Sequence, residues 1–262
     1  MTLDLSPVVS ALLGNSVARP AGEGAISGHA AGEPFDKLIT RRIDEVFPKR
    51  TFRQFEVLNE VLQANPEAET ARERVGLLGP PALQPLLKRG MGPMRDWSPT
   101  NPFEEKQDET ADVVVLPSES LDLHTGPIHL VDAKTYQEER RGRPPNIISA
   151  LKLAHMCKDM IDSDNFGSHD ISYLSVAWVL ENGRMRITDS TAVALFQEEP
   201  GDLYINWSAG LQVQFHPQQC PQAFAGSAED WCRAYLPNFV DSVKNRIVTM
   251  RSDYVRVFEP YV

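Results

Sequence analysis

The spacing of apolar residues changes period along this chain, and that change limits the fold more than any other feature. Phe35, Leu38, Ile39, Ile43, Val46 and Phe47 recur at helical intervals after Pro34 and stop at Pro48. A proline suits the first turn of a helix and ends one when it falls inside. A second helical pattern, Phe52, Phe55, Leu58, Val61 and Leu62, stops before Pro66, and shorter helical pieces fit between 67 and 89. The spacing then becomes that of strands. Residues 111 to 116 form a β-branched run closed by Pro117, and residues 128 to 134 form another after a Gly126-Pro127 turn, so the two are expected to pair. A helix follows Pro144-Pro145 with a stripe of Ile147, Ala150, Leu151, Ala154, Cys157 and Ile161. Residues 171 to 180 and 184 to 189 flank Asn182-Gly183, a strong hairpin signal. Short strands near 203 to 207 and 211 to 216 precede a long helix over about 228 to 250, with a kink expected at Pro237. Helices, a mixed central β-sheet and further helices predict an α/β fold. Residues 14 to 34, with five glycines and two prolines, read as a loop or arm. The expected division is an N-terminal arm over 1–33 and a single domain over 34–262.

Composition narrows the class. The 262 residues carry 26 Lys and Arg against 36 Asp and Glu, a net charge of -10, which weighs mildly against a nucleic-acid coat. With 42% hydrophobic and 24% charged residues, disorder and collagen are excluded. Three cysteines without a Cys-x-x-Cys pair give no disulfide framework and suit a reducing cytoplasm. No apolar run approaches the roughly 18 residues of a membrane span, and no signal peptide is expected.

The chemistry centres on Asp112, Asp132 and Lys134. Residues two apart on a strand share a face, so Asp132 and Lys134 project together, and pairing of the two strands brings Asp112 to them. Two carboxylates form a hard-oxygen site for Mg2+, an ion that keeps several waters and shares substrate phosphate oxygens. With a lysine beside them, they suit metal-assisted phosphodiester hydrolysis. The pattern [DE]-x-K alone is common, and Glu104-Glu105-Lys106 matches it within a polar run. The competing reading is a strand-end ion pair with Asp112 capping a turn.

Longer strings are more specific. Ser27-Gly-His-Ala-Ala-Gly-Glu-Pro-Phe35, Phe103-Glu-Glu-Lys-Gln107, Thr110-Ala-Asp112, Asp132-Ala-Lys134, Pro145-Asn-Ile-Ile-Ser-Ala150, Tyr204-Ile-Asn-Trp207 and Gln212-Val-Gln-Phe-His216 occur in that order. Together they resemble the HincII type of type II restriction endonucleases, of the PD-(D/E)xK nuclease superfamily, from about residue 27 onward. The resemblance implies the restriction-endonuclease-like fold and a bacterial, cytoplasmic homodimer. It also implies Mg2+-dependent cleavage of double-stranded DNA within a short palindrome, GTYRAC or a close variant, leaving blunt ends with 5'-phosphates. By motif position, Asp112, Asp132 and Lys134 are the catalytic set, with the Ala133 carbonyl joining the two acids at the metal. Glu33 is either an accessory acid or an acid stabilising a helix start. Asn146 and Asn206 match positions that reach base edges, and His29 lies in the matched arm.

Residues 134 to 158 hold six Lys or Arg, among them Arg140, Arg141 and Arg143, against two acids. Residues 37 to 53 have the same balance. Such local excess can grip phosphates, or simply face solvent. Gln212, Gln214 and His216 alternate with Val213 and Phe215, a polar strand face for DNA or water. The chain departs from the family at Arg143-Pro144, where Gln-Ala stands in the groove-entering loop, at Met91 in place of a lysine, and in a longer connection between Asp112 and Asp132. These departures bear on the sequence read and leave the chemistry intact. The rival readings are a PD-(D/E)xK nuclease of repair or recombination, a non-catalytic DNA-binding descendant, and an interaction protein.

Overall fold

The computed structural model describes residues 2–20, 29–53, 56–57, 111–119, 127–139, 145–167, 169–214 and 223–262. These cluster into two compact units, residues 1–145 with 167–196 and residues 146–166 with 197–262.

The first unit is built on a six-stranded mixed sheet. Its strands are β1 (Ser16–Ala18), β2 (Thr51–Phe52), β3 (Val113–Val115), β4 (Ile128–Gln137), β6 (His169–Glu181) and β7 (Arg184–Ala194), in the order β1-β7-β6-β4-β3-β2. Only β4 and β6 run parallel. Both expected runs are strands, and they pair antiparallel with Val113 opposite Val131. The β6–β7 hairpin turns at Asn182 and Gly183, both left-handed with φ of 50° and 75°. That conformation suits these residue types and matches the twist of the flanking strands.

Helices α1 (Ser6–Leu12) and α2 (His29–Val46) supply the apolar cover. Leu5, Val8 and Leu12 join Phe35, Leu38, Ile39 and Ile43 of α2 in a buried cluster with Val131, Leu174, Val176 and Trp178. The core thus begins well before Pro34, with Leu5, Val8 and Leu12 inside it and Val9 and Val17 packed against it. Helix α2 begins at His29, five residues earlier than the proline placed it, so Pro34 lies inside the helix. As the sixth residue of the helix, Pro34 lies past the N–H groups that any helix leaves unpaired at its start, so it removes one i→i−4 hydrogen bond there. His129, buried, faces its register partner Asp170 at 3.8 Å.

The basic stretch over 37 to 53 is largely spent on this unit. Arg42 donates to Asn15 Oδ1 and Glu45, Arg50 Nε to the Leu116 carbonyl, and Arg53 Nη1 to the Asp112 carbonyl. The last two tie β2 and its flank to β3.

The second unit holds β5 (Asn146–Ser149), β8 (Tyr204–Asn206) and β9 (Gln212–Gln214), antiparallel in the order β5-β9-β8. Helices α3 (Ala150–Ser163) and α4 (Ala228–Met250) complete it. Ser149 caps α3, and a reciprocal Ser227–Asp230 capping box starts α4. Pro237 lies inside α4, which is continuous over 23 residues. Trp231 and Tyr235 are buried and stacked, and the Tyr235 hydroxyl donates to the Ala150 carbonyl. Among the described residues no helix is long and apolar enough to cross a membrane.

Candidate active site

Pairing of β3 with β4 assembles the acidic site. Because Val113 lies opposite Val131 in an antiparallel pair, the preceding residue, Asp112, falls opposite Asp132. The Ala133 amide donates to Asp112 Oδ2 at 2.8 Å, which holds the Asp112 carboxylate against β4. Asp132 and Lys134 project from the same face of β4, and Lys134 Nζ contacts Asp132 Oδ2. Asp132 is 7% exposed. The three residues singled out in the sequence are therefore brought together.

The electrostatics follow from burial. Desolvation pushes the Asp132 carboxyl up to about 7; Lys134 pulls it down, and the nearby Asp112 charge reinforces the rise. For Lys134, burial acts to lower the pKa. The acidic neighbours Asp132, Asp112 and Asp36 more than compensate, so the ammonium is held above its ordinary value. The metal-free site thus sets a charged lysine beside a carboxyl that is reluctant to ionise.

That donor set fits a divalent cation. Asp132 is buried beside the Asp112 carboxylate, and the one Lys134 ammonium in contact with it leaves its carboxyl still raised, so a divalent cation would relieve the cost of ionising it. Among the described residues no group of three or more His, Cys, Asp or Glu is gathered for a metal. Two carboxylates with a backbone carbonyl are a Mg2+ donor set, since that ion takes few protein ligands and keeps waters or phosphate oxygens.

Asp36 was not singled out by sequence reasoning, although its charge acts on Lys134. The signal for it is helical spacing, as it lies one turn beyond Glu33 on α2. Register also places Ser175 beside Lys134, with Thr191 on the far side of Ser175, and Tyr173 beside Asp132.

In the second unit Asn146, Asn206 and Gln214 form one chain of amides. Gln214 Nε2 donates to Asn146 Oδ1 at 2.6 Å, and Asn206 Nδ2 donates to Gln214 Oε1 at 2.9 Å. Asn206 and Gln214 are only 7% and 5% exposed, Gln212 is half-buried, and Asn146 is exposed. The polar strand face expected over Gln212 and Gln214 is thus partly turned inward. Glu33 and His29 lie on α2, with side chains outside the described residues. Arg140, Arg141, Arg143, Pro144 and His216 lie outside the described residues altogether.

A mixed α/β sheet that sets two carboxylates and a lysine at one point on adjacent strands defines the class, a PD-(D/E)xK-type nuclease. Residues 8–262 match the family described as restriction endonuclease HincII. The type II restriction enzymes HindII and HincII, both from Haemophilus influenzae, are 41% and 40% identical to the chain over 254 residues, covering 97% of it and 95% of each relative. The chain belongs to the HincII restriction endonuclease family, and so stands among the type II restriction endonucleases.

Proposed function

We propose that this protein cuts both strands of duplex DNA within a short palindrome, with Mg2+, as a homodimer in the bacterial cytoplasm. The observation that carries this reading is the Ala133 amide bond to Asp112, which sets that carboxylate beside Asp132 and Lys134 within a chain of this family. The site read is GTYRAC or a close variant, cut to blunt ends bearing 5'-phosphates.

Asp112, Asp132 and the Ala133 carbonyl would hold the ion, with Glu33 as an accessory acid. When bound, Mg2+ supplies Lewis-acid polarisation of the scissile phosphate and lowers the pKa of water. Lys134 Nζ, kept charged by its acidic neighbours, orients the attacking water and stabilises negative charge on the phosphoryl oxygens. Asp132, whose buried carboxyl is reluctant to ionise, would be held ionised by a bound cation, which couples the charge state of the site to metal binding. In-line displacement leaves the 3'-hydroxyl on the departing strand.

DNA would be held by Arg140, Arg141, Arg143 and Pro144, which precede β5 in sequence, by Asn146 and Gln212, and by His29, with the buried Asn206 and Gln214 supporting Asn146 from behind. A palindromic site matches a twofold dimer. Ile247, Val248, Tyr254, Val255, Val257 and Phe258, near and beyond the end of α4, are exposed and apolar, as a surface covered by a second copy would be. Incubation with plasmid and Mg2+ tests the reading, discrete bands supporting it and an uncut plasmid opposing it. Size-exclusion chromatography with light scattering tests the dimer, for which a monomer at micromolar concentration is the contrary result.

A further inference from the structure

We propose that Gln214 is a specificity-determining positioning residue. It relays a fixed hydrogen-bond polarity from Asn206 to Asn146, so that Asn146 meets DNA as a donor and selects a hydrogen-bond acceptor on the base edge before it. The ligand in this proposal rests on the DNA-cleaving function above, whereas the relay rests on the pairing of β5, β8 and β9.

A side-chain amide has a donor end and an acceptor end of nearly equal shape, so its orientation is set by its partners. Here the chain of partners begins at groups that cannot reverse. The backbone N–H groups of Ser208 and Ala209 can only donate, and they donate to Asn206 Oδ1 at 2.9 and 3.2 Å. Asn206 must therefore offer Nδ2 to its other neighbour, which is Gln214 Oε1 at 2.9 Å. Gln214 must in turn offer Nε2, which donates to Asn146 Oδ1 at 2.6 Å. Reversing Asn206 or Gln214 would set donor against donor among buried groups, the arrangement folded proteins avoid most strongly, and reversing Asn146 would set its amino group against that of the buried Gln214.

The polarity ends at the exposed Asn146. An unconstrained asparagine reads adenine with both ends, giving N–H to N7 and taking N–H from N6. With Oδ1 engaged by Gln214, Asn146 offers its two N–H donors instead. It then favours an edge presenting N7, O6 or O4 and disfavours one presenting the amino group of adenine or cytosine.

Gln214→Glu tests the relay with almost no change in shape. A carboxylate still accepts from Asn206 but cannot donate, so Asn146 must turn its amino group to Glu and present its carbonyl outward. Wild type, Gln214→Glu and Gln214→Met are each incubated with Mg2+ and a pool of duplexes randomised across the cut site, and the cut ends are sequenced. At one position per half-site, preference is expected to move by roughly tenfold from the acceptor-presenting base to an amino-presenting one in Gln214→Glu. Gln214→Met, which needs no buried charge to fold, loses preference at that position alone. Unchanged preference in Gln214→Glu, or equal loss at all positions in both variants, overturns the proposal. Side-chain amide NMR of the wild type judges the relay even where no duplex is cut. Slower hydrogen exchange of the Gln214 and Asn206 amino groups than of Asn146 supports it, and equal exchange overturns it.

Discussion

Replacing Asp132 with asparagine is expected to abolish cleavage and, in the metal-free protein, to gain stability relative to wild type as pH rises. Burial first, then the Asp112 charge, against the pull of Lys134, carry the Asp132 carboxyl from an ordinary 3.8 to about 7. A carboxyl that holds its proton more tightly folded than unfolded contributes stability fully present below its unfolded pKa. That contribution is lost as pH rises from there through the folded value. At about 1.4 kcal/mol per pKa unit, wild type gives up on the order of 4 kcal/mol between about pH 4 and pH 8 relative to a side chain that does not titrate. Lys134 is raised above its ordinary value and stays protonated across this window, so it adds no slope of its own. Between about pH 6 and pH 8, clear of the isoelectric point near 5.1, the gap should widen by about 1 to 2 kcal/mol in favour of asparagine. Urea denaturation of both proteins in chelator at three pH values measures it. Adding Mg2+ should narrow the gap at pH 8, because a bound cation favours the ionised carboxylate. A gap that is flat or closes with rising pH refutes the reasoning.

Asp112→Ala removes the carboxylate held by the Ala133 amide and should lower the cleavage rate by roughly a hundredfold or more. A filter-binding assay should show duplex DNA still bound. Lys134→Met leaves Asp112 and Asp132 facing one another without a cation; cleavage should be lost, and metal-free stability should fall more steeply with pH than in wild type. Gly183→Val places a branched side chain at φ 75° in the β6–β7 turn and should destabilise the protein by about 1 to 2 kcal/mol in thermal or urea unfolding. Trp178→Ala empties part of the cluster under α2 and should cost about 3 to 5 kcal/mol by the same measurement.

The parts of this molecule legible in its sequence are those fixed by neighbours in the chain. Asn182-Gly183 specifies a tight hairpin through the conformations those residues accept, and it is found there. The Asp112, Asp132 and Lys134 set is visible because two members are two apart on one strand, and the third follows once the β-branched runs pair. Features set by distant pairing were not legible. The role of Gln214 depends on β9 lying between β5 and β8, so that residue 214 meets residue 146, and no local pattern signals this. Asp36 depends on how α2 lies over the sheet. The N-terminal segment was obscured by the glycines of residues 14 to 34, although Leu5, Val8 and Leu12 already carry helical spacing. The start of α2 was misplaced because Pro34 is compatible with a helix start without requiring one.

In the proposed reaction Asp112, Asp132 and Lys134 cut DNA at a defined sequence with a divalent cation. Sequencing the ends of supercoiled plasmid after incubation with the purified protein and Mg2+ tests it most directly, with Asp132→Ala in parallel. Discrete fragments with flush ends and 5'-phosphates inside GTYRAC or a close variant are expected, none without Mg2+, and none from Asp132→Ala. Intact plasmid, ends scattered over unrelated sequences, or equal cutting by Asp132→Ala would contradict it.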